Sequence, residues 1–365
     1  MEKCWPVRLE VDSSCILHNI NQIKELIGDK VDIMPVIKDE GYKTGINNKI
    51  DILKDSNVKI VGVAIIDEAV ILREGGYTGE IFVLNQIYKE DIESVKKYDI
   101  TLGIGDSSFL KELGKSSDYT FKIHVEIDTG MGRTGVSLEK LEEYIFECQK
   151  YSNIDVQGIY THFSCSDTDE AFTKLQISRF NEAIEICEKH GINFKYIHAC
   201  NSAGVINYKE AYYNLVRPGI ILYGYYPDKS LENKIDLKPA LKLKSKISYI
   251  KEVPQGTTIS YGKRYITDKP CTIATVQMGY ADGLRRCLTN KGHVVINGVV
   301  APMIGTICMD CFMADVTNVP NVKVGDTVYI WDNKNITVED IADIYDTINY
   351  EVISTISDRV VREYI

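Results

Sequence analysis

Hydrophobic and polar positions follow two different rhythms along this chain. Near the start, Ile16, Ile20, Ile23 and Ile27 recur at helical spacing, with Asn21, Gln22, Lys24 and Glu25 between them. This predicts an amphipathic helix opened by the polar residues at 12–14, after a short alternating strand at 6–10. Apolar runs then recur at 32–38, 59–65, 81–84, 101–104, 121–127, 156–162, 194–198 and 213–216. Strands buried on both faces read as such near-continuous runs. Segments 68–74, 138–151 and 171–190, lying between runs, carry helical periodicity. Eight strand candidates, mostly separated by helical ones over about 230 residues, predict a (β/α)8 barrel. Near residue 237 the rhythm changes to strand-like runs at 241–253, 257–261, 271–277, 293–296, 299–307, 312–315 and 327–331, with a late helix at 338–345. Asn297-Gly298 and Gly325-Asp326 punctuate these runs as turns. The predicted fold class is α/β. An N-terminal (β/α)8 TIM barrel occupies 11–233, and a C-terminal all-β domain takes 234–365, with 1–10 added to it.

Composition narrows the choice of partners. The formal net charge of -10 argues against nucleic acid or an anionic membrane surface. No apolar run approaches the roughly 18 residues of a membrane span, and the first residues lack the apolar core of a signal peptide. Ten scattered cysteines suit a reducing compartment, so a cytoplasmic protein is expected. Cys308 and Cys311 form a CxxC with no second pair nearby. Zinc would need two further ligands, and no metal site is expected.

Candidate chemistry clusters at the ends of the predicted barrel strands, where such folds carry their reactive groups. Lys38 closes the first apolar run. A lysine shielded there loses its proton readily and can form a Schiff base with an aldehyde such as pyridoxal phosphate. Loops after strands seven and eight of barrels frequently hold a phosphate. Ser202 at a helix start, Gly219 and Ile220 supply the hydroxyl and backbone N–H groups a phosphate needs. Arg133 follows a glycine-rich turn after the fifth strand, and His162 ends the sixth. Taken singly, each of these also fits an ordinary turn, ion pair or structural histidine.

The ordered set is more specific. Lys38 to Tyr42, Asp128 to Arg133, Thr161 to Phe163, Asn201-Ser202, Val216 to Gly219, Leu222 to Gly224, Gly279 to Gly283, Met309-Asp310 and Thr347 to Glu351 occur in this order. Together they resemble the alanine racemase family over nearly the whole chain. The resemblance implies a pyridoxal 5'-phosphate-dependent isomerase of the fold-type III kind, interconverting L- and D-alanine and supplying D-alanine for cell-wall peptidoglycan. It implies a homodimer with shared active sites, and a first short strand that joins the C-terminal domain. It also assigns roles. Lys38 would hold the cofactor and act as one base, with Tyr280 of the partner subunit as the other. Tyr42, Asn201, Ser202, Gly219, Ile220 and Tyr350 would bind the cofactor, chiefly its phosphate. Arg217 would face the pyridine nitrogen, and His162 would bond Tyr280 or Arg217. Arg133 would reach the phenolic oxygen and the substrate carboxylate, with Met309 and Asp310 of the partner subunit on the substrate side.

Departures from the family pattern leave alternatives open. The loop after Lys38 reads Gly41-Tyr-Lys-Thr-Gly45 where a glycine and a histidine usually follow the tyrosine. Glu126 stands where many members carry a carbamylated lysine, and a direct charge-assisted contact from Glu126 to Arg133 is expected to replace it. Cys311 replaces a frequent glutamine. A serine or broad alanine/serine racemase is the nearest alternative, since one hydroxyl is weakly rejected by a small pocket. Tyr350 favours alanine. A decarboxylase on the same plan is disfavoured by Arg217, because those enzymes place a carboxylate at the ring nitrogen. A non-catalytic cofactor-binding protein is disfavoured by the β domain and Tyr280.

Overall fold

The computed structural model describes residues 4–116 and 118–365. The chain divides into two compact units. One holds Ile16–Gly41 and Gly45–Lys238; the other holds the described residues up to Cys15, Tyr42–Thr44 and Pro239–Ile365. Among the described residues no helix is long and apolar enough to cross a membrane.

The first strand, Arg8–Val11 (β1), belongs to the second unit. In the first unit the strands are Asp32–Ile33 (β2), Ile60–Val63 (β3), Glu80–Val83 (β4), Thr101–Ile104 (β5), Phe121–Glu126 (β6), Ile154–Tyr160 (β7), Tyr196–His198 (β8) and Leu215–Val216 (β9). β3 to β8 pair in sequence order as a six-stranded parallel sheet, and β2 pairs with β9 in parallel. The continuous eight-stranded ladder expected from the sequence is thus split into six and two. Pro35 follows β2 and has no N–H to give, so the run at 32–38 makes only two ladder residues. Backbone bonds still cross the seam: Gly62 N–H donates to Pro35 O and Ile37 N–H to Gly62 O, each at 2.9 Å. On the other flank, Tyr213 has φ 47°, which breaks the run at 213–216 and leaves Leu215–Val216 as the strand. Met34, Ile60, Phe82, Tyr160, Tyr196 and Leu215 pack as one buried cluster. The expected helices are present at Ile66–Glu74, Leu138–Gln149 and Glu170–Lys189. Further short helices, not expected from sequence, lie at Ile50–Asp55, Ile92–Tyr98 and Ser107–Gly114.

The second unit contains Leu241–Val253 (β10), Thr258–Ile259 (β11), Tyr265–Ile266 (β12), Cys271–Val276 (β13), His293–Ile296 (β14), Val299–Ile304 (β15), Phe312–Asp315 (β16), Thr327–Trp331 (β17) and Val361–Tyr364 (β18). The order β13-β16-β15-β14-β17-β10 closes on itself through β10–β13, an antiparallel barrel with no free edge within that ring. β10 spans thirteen residues, long enough to serve two partners on one side. Its register shifts between Ile247 and Tyr249, where it passes on to β13. β1 lies antiparallel on β10 and parallel to β18, so the first strand joins this sheet. Residues 1–3 of the segment assigned with it lie outside the described residues. The helix Val338–Tyr345 is present as expected, opened by Thr337 and Asp340 in a capping box.

Candidate active site

Lys38 opens a turn of unusual handedness. Asp39, Glu40 and Gly41 have φ of 55°, 52° and 66°, and Tyr42 and Lys43 continue at 56° and 60°. For residues other than glycine each such conformation costs about 1–2 kcal/mol. Glu68 ties the turn down. This carboxylate is buried and accepts from Glu40 N–H at 3.0 Å, Ala64 N–H at 2.8 Å and Ile65 N–H at 3.3 Å. It is the third residue of the helix that follows β3 and bonds the backbone at that helix's own start. The sequence reading missed Glu68, although its place three residues after Ile65 is a legible capping signal. Lys38 keeps an exposed side chain, yet its ammonium is held below the usual lysine range. Loss of hydration is the largest cause, then repulsion from Arg133; Glu68 and Asp39 oppose both.

Arg217 follows β9 and is buried. Its guanidinium donates to Thr161 O at 2.7 Å, Ala199 O at 3.0 Å and His198 Nδ1 at 2.8 Å, and comes within 3.5 Å of His162 Nδ1. Burial brings it down to about 10, which still leaves it protonated at neutral pH. His162 is pushed down to about 3, by burial first and then by Arg217, Arg133 and Lys38. Behind Arg217, His198 Nε2 lies 2.9 Å from His124 Nδ1, and both rings are fully buried. Neither histidine was singled out from sequence.

Asn201, Ser202, Gly219 and Ile220 come together. Asn201 caps the helix Ser202–Asn207 by accepting from Gly204 N–H at 3.0 Å. Ser202 Oγ accepts from Gly219 N–H at 2.9 Å. Ile220 is buried and begins a 3-10 turn. The N–H groups of Ser202, Ala203 and Ile220 donate to no protein acceptor among the described residues. Convergent donors of this kind suit an anion.

Arg133 is exposed on the turn after β6. Glu126 is buried and accepts from Thr134 Oγ1 at 2.8 Å. The direct Glu126–Arg133 bond expected from sequence is absent. Thr134, next in the chain, captures the carboxylate, and Arg133 acts on Glu126 only through space. Burial pushes the Glu126 carboxyl up, opposed by its bonds to Thr134 and Tyr160 and then by Arg133.

In the second unit, the Tyr42 and Tyr350 rings lie 6.3 Å apart at 48°. Tyr42 is buried, and Tyr350 sits in the helix Asn349–Ser354. Tyr280 and Met309 are 43% and 53% exposed. Tyr280 N–H donates to Cys308 O at 3.1 Å and Ala281 N–H to Met309 O at 3.0 Å. Asp310 pairs with Arg359 at 2.8 Å. Arg359 also lies 3.4 Å from Asp282, whose other oxygen accepts from Gly279 N–H at 2.9 Å.

Two family models cover most of the chain. Residues 11–227 match the family described as "Alanine racemase, N-terminal domain", and 240–364 match "Alanine racemase, C-terminal domain". An alanine racemase of Halothermothrix orenii is 40% identical over 98% of this chain and 97% of its own. Alanine racemase 2 of Caldanaerobacter subterraneus is 40% identical over 99% and 95%. Among solved structures, the alanine racemase of Clostridium difficile superposes with a TM-score of 0.95 at 35% identity, covering 100% of this chain and 97% of that one. The Bacillus anthracis alanine racemase with bound L-Ala-P gives 0.94 at 32%, covering 100% and 96%.

Proposed function

The chain belongs to the alanine racemase family, and from that premise we propose that it interconverts L- and D-alanine with pyridoxal 5'-phosphate as a homodimer. The six- and two-stranded parallel sheets are read as one (β/α)8 barrel, supported by the backbone bonds across the Pro35–Gly62 seam. D-Alanine made this way serves peptidoglycan. Cysteines scattered along the chain support a reducing, cytoplasmic setting.

The observation that carries the reading is Arg217. A buried guanidinium with three acceptors is a fixed cation, and it would face the ring nitrogen of the cofactor. It can donate to that nitrogen but cannot keep it protonated. When bound, pyridoxal phosphate supplies an aldehyde for the substrate amine and a conjugated ring that withdraws electrons from the α-carbon. Beside Arg217 that withdrawal is restrained, which favours returning a proton to the same carbon over other outcomes.

The chain's own groups divide the remaining work. Unpartnered N–H groups of Ser202, Ala203 and Ile220, with the Ser202 hydroxyl, Asn201 and Gly219, would hold the phosphate. Lys38 would hold the aldehyde and, as a free amine, would move the α-proton on one face. Lost hydration and Arg133 both favour that neutral form. Tyr280 of the partner subunit moves the proton on the other face; its exposure suits a group that serves a neighbour. His162, kept neutral beside Arg217, would steady the phenolate of the partner subunit's Tyr280 with its ring N–H. Arg133 would take the substrate carboxylate, with Met309 and Asp310 of the partner subunit on the substrate side.

Turnover of a panel of L-amino acids with added cofactor tests the proposal. D-Alanine is expected as the main product, with less D-serine. Tyr280→Phe is expected to keep cofactor absorbance and to lose solvent exchange of the α-proton from one alanine enantiomer. Exchange persisting from both enantiomers would show that Tyr280 is not the second base.

A further inference from the structure

Met309 and Asp310 form the tip of a chain reversal flanked by two cysteines. Cys308 N–H donates to Cys311 O at 2.9 Å, so the chain turns back on itself within four residues and brings the two cysteines close in space. Disulfides most often span about 5.5–6 Å between Cα atoms. The thiols lie within hydrogen-bonding reach, and the Cys311 thiol is pushed up to about 11, by burial first and then by Cys308. Cys308 Sγ lies 3.4 Å from Ser260 Oγ. It lines an open cavity of about 370 Å³ with Ser260, Tyr261 and Met313, wide enough to admit a small oxidant.

We propose that Cys308 and Cys311 are a redox modification site, converted by a hydroperoxide into a disulfide that arrests turnover and is reversed by a thiol reductant. The effect on turnover rests on the proposed role of Tyr280; the disulfide does not. The Cys308 thiolate attacks the peroxide O–O bond, giving a sulfenic acid and releasing water or alcohol. Cys311 then attacks that sulfur as its thiolate, forming the S–S bond and expelling the oxygen as water. Two electrons pass from the thiols to the peroxide, and both thiol protons leave in the products.

The link to Tyr280 is short. Its N–H hangs on the Cys308 carbonyl and that of Ala281 on the Met309 carbonyl. A Cβ at Gly279 would collide with the Met309 carbonyl, so the two backbones are already in close contact. Drawing Cys308 toward Cys311 shifts the acceptor on which Tyr280 depends. It also moves Asp310 against Arg359, which holds the Tyr280 loop through Asp282.

The holoenzyme is treated with hydrogen peroxide, then alkylated and digested, with activity measured before and after dithiothreitol. The expected result is a peptide joining Cys308 to Cys311, lighter by its two thiol hydrogens. Turnover should fall about tenfold or more and return on reduction. Cys311→Ser, or Cys311→Ala if the serine variant folds poorly, should keep untreated turnover and lose the reversible response. Alkylation of both thiols after peroxide overturns the proposal, as does a disulfide that leaves turnover unchanged. A disulfide formed in a protein that never racemises alanine would instead count against the proposed function.

Discussion

Nη1 of Arg217 donates to Nδ1 of His198 at 2.8 Å, and this bond decides the protonation of the groups behind it. A guanidinium only donates, so His198 Nδ1 accepts and its proton resides on Nε2. That proton is donated to His124 Nδ1 at 2.9 Å. His124 therefore carries its own proton on Nε2, a buried atom with no partner among the described residues. Three side chains from β6, the end of β8 and the end of β9 thus form one directed row of donors.

Arg217→Lys is expected to be costly, since an ammonium cannot span the carbonyls of Thr161 and Ala199 together with His198. Each buried acceptor left alone costs about 1–3 kcal/mol. A lowered thermal midpoint and at least about tenfold slower racemisation, or about 1.4 kcal/mol of barrier, are the outcomes to measure.

Acid stability follows from the same row. Burial holds His124 down to about 3 and His198 well below its ordinary value, so both stay neutral in the folded chain. Unfolded, they take up protons below about 6.5. Their contribution is therefore fully present above that pH and is lost as pH falls toward the depressed folded values. The slope is at most about 1.4 kcal/mol per pH unit per histidine. Melting curves between pH 7 and 5 should show this fall, and His124→Gln, which keeps an acceptor for His198, should flatten it.

Glu126→Gln tests what the buried carboxyl does. Its pKa is raised, so the charged form is a burden on the fold that lessens as pH drops. Glutamine preserves an acceptor for Thr134 and removes the charge. The melting temperature at pH 8 should not fall, and the KM for L-alanine should rise several-fold if the negative charge helps position Arg133. An unchanged KM would assign Glu126 to packing alone.

Glu68→Gln probes the left-handed turn after Lys38. One of the three backbone donors on that carboxylate would face an amide nitrogen instead. A loss of about 1–3 kcal/mol in stability is expected, together with weaker uptake of pyridoxal phosphate, read by absorbance titration. Wild-type affinity in a destabilised variant would mean the turn holds its shape without Glu68.

Most elements were legible in the chain because burial on one or both faces leaves a period that neighbouring residues share. The runs that form β4, β5 and β6 and the helices Leu138–Gln149 and Glu170–Lys189 are of this kind. Strands β2 and β9 were overestimated, since Pro35 and the left-handed Tyr213 act on hydrogen bonding rather than on hydrophobicity. β18 was missed because Val361–Tyr364 is too short and mixed to carry a signal of its own.

The sequence by itself determined the two rhythms, the strand-end positions of Lys38, Arg133, His162, Ser202 and Arg217, and the ordered motifs that mark the family. Those properties are local: each depends on residue type and on spacing within a few turns of chain. Tertiary structure alone decided that Thr134 rather than Arg133 takes the Glu126 carboxylate, that Glu68 anchors the lysine turn, and that His124 and His198 line up behind Arg217. A buried polar atom must find a partner wherever the packed chain offers one, and residues 74 positions apart become neighbours only after the strands have paired.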